Sequence, residues 1–152
     1  MIQRKQTIYL LLAVIAMLVC LFNPIMRLTS ERMGADSTVY NLWTVNAADG
    51  GYSLSVIPLF CTLVLTTVIA ILTIFMYKNR KQQMRLCTLS ILLMVVWVAL
   101  YAVYGFIIYA PVGAFHATIY ACLPVVAAIL FFMARQGIKA DERLVRAADR
   151  IR

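Results

Sequence analysis

Three long stretches of this chain contain no Asp, Glu, Lys or Arg: residues 6–26, 50–77 and 86–134. No other feature constrains the fold so tightly. A hydrocarbon core of about 30 Å is crossed by roughly 20 apolar residues in a helix. Inside that core each backbone amide must be satisfied within the chain, which selects helices. The first stretch holds one crossing, residues 7–26, and the second holds another, residues 54–77. The third is too long for one crossing. It divides at "YAPVGAF", where Pro111 and Gly113 interrupt two apolar runs. Crossings at 86–109 and 115–133 follow. The expected fold class is an all-α membrane protein, a four-transmembrane-helix bundle forming one domain over residues 1–152.

Composition agrees with this reading. Hydrophobic residues make up 64% and charged residues 13%, against about 45–50% and about 25% in soluble chains. Mean hydropathy is +0.89. Arg4 and Lys5 before an apolar run resemble the start of a signal peptide, but no small-residue cleavage site follows. Bulky Val19 before Cys20 also disfavours lipoprotein-type cleavage, so the first segment is expected to remain as a span.

With four crossings, both termini and the loop 78–85 share one side. That side carries twelve of the fourteen basic residues. The opposite side has Arg27 and Arg32, outnumbered by Glu31, Asp36 and Asp49. Basic residues near span ends stay in the cytoplasm. The expected location is a bacterial inner membrane, with both termini cytoplasmic. The net charge of +8 would suggest nucleic acid in a soluble domain. Here the densest cluster, Lys78, Arg80, Lys81 and Arg85, lies in a short turn with no aromatic platform, so no nucleic-acid partner is expected. The cluster instead sets topology and meets anionic headgroups of the phospholipid bilayer.

The outer loop 27–53 contains "STVYNLWTVNAADGGYSLSVIP". Val39, Leu42, Trp43 and Val45 before the turn residues Asp49-Gly50-Gly51, and Tyr52, Leu54 and Val56 after them, suggest a short β-hairpin. Leu42 and Trp43 break the alternation. Trp43 reads more simply as an interfacial anchor than as the centre of a platform. An outer turn occupies 110–114. The tail 134–152 has Lys139, Arg143, Arg146 and Arg150 on one helical stripe, opposite Leu144, Val145, Ala148 and Ile151. It is expected to form an amphipathic cytoplasmic helix after a bend at Gly137, lying on the membrane or docking a partner. Asp141 falls near its apolar side.

Candidate chemistry inside the spans is sparse. The sole histidine, His116, has no Cys, Asp or Glu at ligand spacing. No catalytic residues, metal ligands or cofactor site emerge, and intramembrane acids and lysines typical of ion-coupled transporters are missing from the sequence. Cys20, Cys61, Cys87 and Cys122 fall in separate spans. Asn23, Pro24, Pro58, His116, Tyr120 and Pro124 all fall near outer span ends, where prolines could splay helices around a shallow cavity. Gly113, Ala117 and Ala121 form a small-xxx-small series, expected to bring span four close to a neighbouring helix.

Three segments, "MIQRKQTIYLLLA", "YKNRKQQMRLC" and "KADERLVRAADRIR", resemble a family of small four-span inner-membrane proteins of unknown function from Bacteroidota-type bacteria. The resemblance implies fold, location and origin, and no activity. The expected function is non-catalytic: an accessory, assembly or scaffold protein acting through helix–helix contacts and a basic cytoplasmic face. Its expected partners are anionic lipid and a membrane protein or a second copy of itself. The alternative is a small transporter or channel element, or a lipid or quinone binder.

Overall fold

Proline marks helix boundaries at three places, stopping one helix and opening two. The structure is a computed structural model that describes residues 3–29, 36–45, 50–77, 79–111 and 113–149. Helix α1 (Gln3–Phe22) ends before Asn23-Pro24, because a residue preceding proline is pushed out of helical geometry. Asn23 Nδ2 donates to the Val19 carbonyl at 2.8 Å, occupying a carbonyl the helix end leaves open. Helices α2 (Ile57–Phe75) and α4 (Leu123–Asp149) each begin with proline in the first turn, Pro58 and Pro124, where its missing N–H does no harm. Helix α3 (Arg80–Val103) continues as a π-helical turn over Tyr104–Ile108.

Each helix packs against two others, in the ring α1–α2–α3–α4. Three rods, Ile57–Phe75, Arg80–Ile108 and Ile119–Val145, are long and apolar enough to cross a membrane. The expected first span, 7–26, is a shorter apolar helix, Gln6–Phe22, because Pro24 ends it and Met26 turns into a strand. The bundle is apolar outside as well as inside. Leu11, Leu12, Leu65, Leu72, Leu92, Val95, Ile129 and Phe132 are exposed, while Thr66, Thr67, Thr73 and Ser90 are buried. Thr66, Thr67 and Thr73 donate to the carbonyls four residues back, at 2.7, 2.8 and 2.7 Å. Exposed apolar surface on this scale suits contact with lipid rather than water.

One end of the bundle carries a five-stranded antiparallel sheet, ordered β4-β3-β2-β1-β5. Its strands are β1 (Met26–Thr29), β2 (Ser37–Val39), β3 (Thr44–Val45), β4 (Tyr52–Ser53) and β5 (Ala114–Ala117). The expected hairpin exists as β3 and β4, with Thr44 opposite Ser53 and Val45 opposite Tyr52; Asp49 in its turn lies outside the described residues. A second turn, closed by Tyr40 N–H to the Trp43 carbonyl at 2.8 Å, splits the segment before it. That turn explains why Leu42 and Trp43 break the alternation. Trp43 is half exposed and packs on Tyr40, ring centroids 5.4 Å apart. Met26, Leu28 and Val39 point into the core while Arg27 and Thr29 face out, the period of two that a half-buried sheet requires.

The all-α expectation is therefore corrected at this end, most sharply at β5. Residues placed at the start of span four pair with β1 instead, Met26 opposite Ala117 and Leu28 opposite Phe115. Gly113 precedes β5, Ala117 ends it, and Ala121 lies in a 3-10 turn (Ile119–Cys122). They share no helix face, so the expected packing series does not form. The close approach occurs at Gly105, where a Cβ would lie 2.9 Å from the Phe115 ring.

The other end differs from expectation in two ways. The inner loop 78–85 shrinks, because α3 begins at Arg80; Arg, Lys, Gln and Met are all good helix formers. The tail does not bend at Gly137 onto a surface. Span four and the tail are one helix, α4, through Asp149.

Tyrosines join the sheet to the bundle. The Tyr109 hydroxyl is 3.0 Å from both Thr44 Oγ1 and Ser55 Oγ. Tyr104 donates to the Ser55 carbonyl at 2.8 Å and Tyr101 to the Ile25 carbonyl at 3.1 Å. Tyr109→Phe should lower stability by about 1–2 kcal/mol, the loss of buried hydroxyl pairing. Hydrogen exchange should quicken over residues 44–55 and stay unchanged in α4. Equal exchange in both proteins would show that this hydroxyl does not hold the sheet.

Candidate functional site: a basic cleft between two helix ends

Cations spaced three or four residues apart on a helix share one face. Lys81, Arg85 and Thr88 lie on one face of α3, with Met84 beside them. Arg135, Lys139, Glu142 and Arg143 lie on one face of α4. The two faces oppose each other, at the end of the bundle away from the sheet, and enclose an open cleft of about 480 Å³. Among the described residues five cations and one carboxylate line it.

Of the expected basic contact residues, the structure brings together Lys81, Arg85, Lys139 and Arg143. Arg80 goes elsewhere. It reaches the Asp141 carbonyl at 3.4 Å and lines a small hollow with Gln6, Thr7, Tyr77 and Gln83. Lys78 lies outside the described residues, as do the side chains of Arg146 and Arg150. Sequence reasoning missed Arg135, Met84, Thr88 and Glu142 as members of the site. Arg135 was detectable, since it precedes Lys139 by one helical turn on the same stripe.

The cleft is held in place by a buried polar knot next to it. Gln6 Nε2 donates to Asp141 Oδ2 at 2.7 Å, both side chains buried between α1 and α4. Gln83 Nε2 donates to the Thr73 carbonyl at 3.2 Å and ties α3 to α2. Asp141, which looked misplaced on an apolar stripe, faces α1. Gly137 lets α1 come close, because a Cβ there would lie 2.9 Å from Gln6 Cγ.

The six residues expected around an outer cavity lie at the sheet end of the bundle. Asn23 bonds its own helix, Pro24 ends α1, and Pro58 and Pro124 open α2 and α4. His116 is exposed on β5 and Tyr120 lies in the 3-10 turn. None of the six lines either the basic cleft or the small hollow beside Arg80. All four cysteines are unpaired, Cys20 and Cys87 buried, Cys61 and Cys122 exposed. Among the described residues no three His, Cys, Asp or Glu side chains gather as a metal site.

A second buried polar group sits under the sheet. Asn41, at the tip of the β2–β3 turn, is fully buried. Its Nδ2 donates to the Cys20 carbonyl at 2.7 Å, and Trp97 Nε1 donates to its Oδ1 at 3.3 Å. All three groups are paired, so this is a structural plug rather than a reactive centre.

The architecture defines a class: a four-helix bundle with three rods of membrane-crossing length, a sheet at one end and a basic cleft at the other. The chain belongs to the DUF4293 family, a domain of unknown function, whose model matches residues 2–151. No curated protein matches the sequence.

Proposed function

We propose that this protein is a non-catalytic, multi-pass component of a bacterial inner membrane that serves as an accessory or scaffold element. In this reading both termini and the basic cleft face the cytoplasm and the sheet faces out. The observation that carries it is the polarity of the bundle. Its sides are apolar, and the five cations of the cleft lie at the end opposite the sheet, the asymmetry that retains loops in the cytoplasm. A catalytic role finds no support in the one histidine, which stands exposed on β5. The transporter reading needs the outer residues to line a shared cavity, and the cleft that the structure does show lies at the opposite end, lined by cations instead.

Two measurements test the proposal. A cytoplasm-active reporter fused after Arg152 should be functional, and activity only in the periplasm would overturn the orientation. Gentle nanodisc purification at native expression, followed by mass spectrometry, should recover a stoichiometric membrane-protein partner. Recovery of the isolated monomer alone would overturn the accessory role.

A further inference from the structure

Like charges that converge on one cleft repel each other, and an anion of matching shape relieves that repulsion. The α4 wall presents Arg135, Lys139 and Arg143 at intervals of one turn, a ladder of roughly 12 Å at 1.5 Å per residue. Lys81 and Arg85 face it from α3. Among the described residues Glu142 is the one acid on the lining. A single phosphate engages only part of such a ladder.

The stripes do not end with the charges. From Thr88 the α3 face continues at Leu92 and Val95, and from Arg135 the α4 face continues at Phe132. These three are 58%, 59% and 48% exposed. Beyond the cationic cleft, helical spacing therefore continues both faces as a strip of exposed apolar residues along two of the membrane-length rods. Arg135 lies deepest, next to that strip. In a bilayer a cation at this depth meets a lipid phosphate more readily than any soluble anion. An acidic protein segment would leave the apolar strip unused.

We propose that the α3–α4 cleft binds one molecule of an anionic phospholipid carrying two phosphates, its headgroup between Lys81, Arg85, Arg135, Lys139 and Arg143 and its acyl chains against Leu92, Val95 and Phe132. The proposal rests on the membrane-spanning reading above, but its test does not depend on orientation, so the two can fail separately.

Detergent-solubilised full-length protein is titrated with diphosphatidylglycerol, phosphatidylglycerol, phosphatidylcholine and inorganic pyrophosphate, and bound adducts are counted by native mass spectrometry. One diphosphatidylglycerol should be retained, with half-saturation about tenfold below that of phosphatidylglycerol. Arg135→Gln and Lys139→Gln, both at exposed positions that leave folding intact, should each weaken it about fivefold. Arg80→Gln, at the same end but outside the cleft, should change it little. Leu92→Ser with Phe132→Ser should weaken diphosphatidylglycerol while leaving pyrophosphate unchanged. Equal retention of the one- and two-phosphate lipids would overturn the proposal, as would equal loss in Arg80→Gln, which marks diffuse attraction. Pyrophosphate binding as tightly as the lipid would replace it with a soluble polyanion site. Release of the lipid by an acidic peptide at equal charge would replace it with a protein-docking face.

Discussion

Trp97→Ala is expected to lower the stability of the folded protein by at least about 4 kcal/mol. Truncating a fully buried Trp costs about 3–5 kcal/mol through the cavity it leaves. Trp97 is fully buried and stacks on Tyr101, centroids 5.3 Å apart. It also supplies the N–H that satisfies Asn41, and an orphaned buried acceptor adds about 1–3 kcal/mol if the cavity stays dry. Trp97→Phe separates the two effects. It restores most of the volume and none of the hydrogen bond, so a loss of about 1–3 kcal/mol is expected. The measurement is reversible unfolding in detergent, with hydrogen exchange over residues 37–45. A Trp97→Ala protein as stable as the parent would mean that the plug under the sheet carries no weight.

Gly137→Leu should have the next largest effect, about 3 kcal/mol. A side chain at 137 meets Gln6, and overpacking costs about 1–3 kcal/mol. Moving Gln6 also breaks its bond to Asp141 and strands a buried carboxylate, where a charged hydrogen bond contributes about 1.5–3 kcal/mol. The two losses share one side chain. Gln6→Ala combined with Gly137→Leu should therefore be less destabilising than the sum of the single changes. Strict additivity in that cycle would show that Gly137 does not act through Gln6.

Hydropathy made the helical rods legible, because apolar runs of this length have few other solutions. It located their ends poorly. Arg80 to Arg85 looked like a loop since charge marks a membrane boundary, but nothing in "RKQQMR" breaks a helix. Gly137 looked like a hinge since glycine is a poor helix former, whereas its role is to admit Gln6. The sheet was legible only where a turn announced it, at Gly50-Gly51. Its strands run two to four residues, too short for alternation to register, and "AFHA" becomes β5 only because β1 offers an edge. In the basic cleft, single residues were visible but their grouping was not. The α4 stripe could be read from spacing. Its pairing with the α3 face depends on how two distant helices pack.

The sheet also records the order in which the molecule can be made. Strand β1 has its β2 partner within the same loop, but its other edge is filled by β5, encoded after both α2 and α3. In a chain synthesised from its N-terminus, that edge stays open until α3 has been made and the segment after it has reached β1. Open edges invite wrong pairings, and contacts between distant segments form late. The cap is thus closed by its last-made strand, and a molecule in which β5 fails to reach β1 keeps that edge open to wrong pairing.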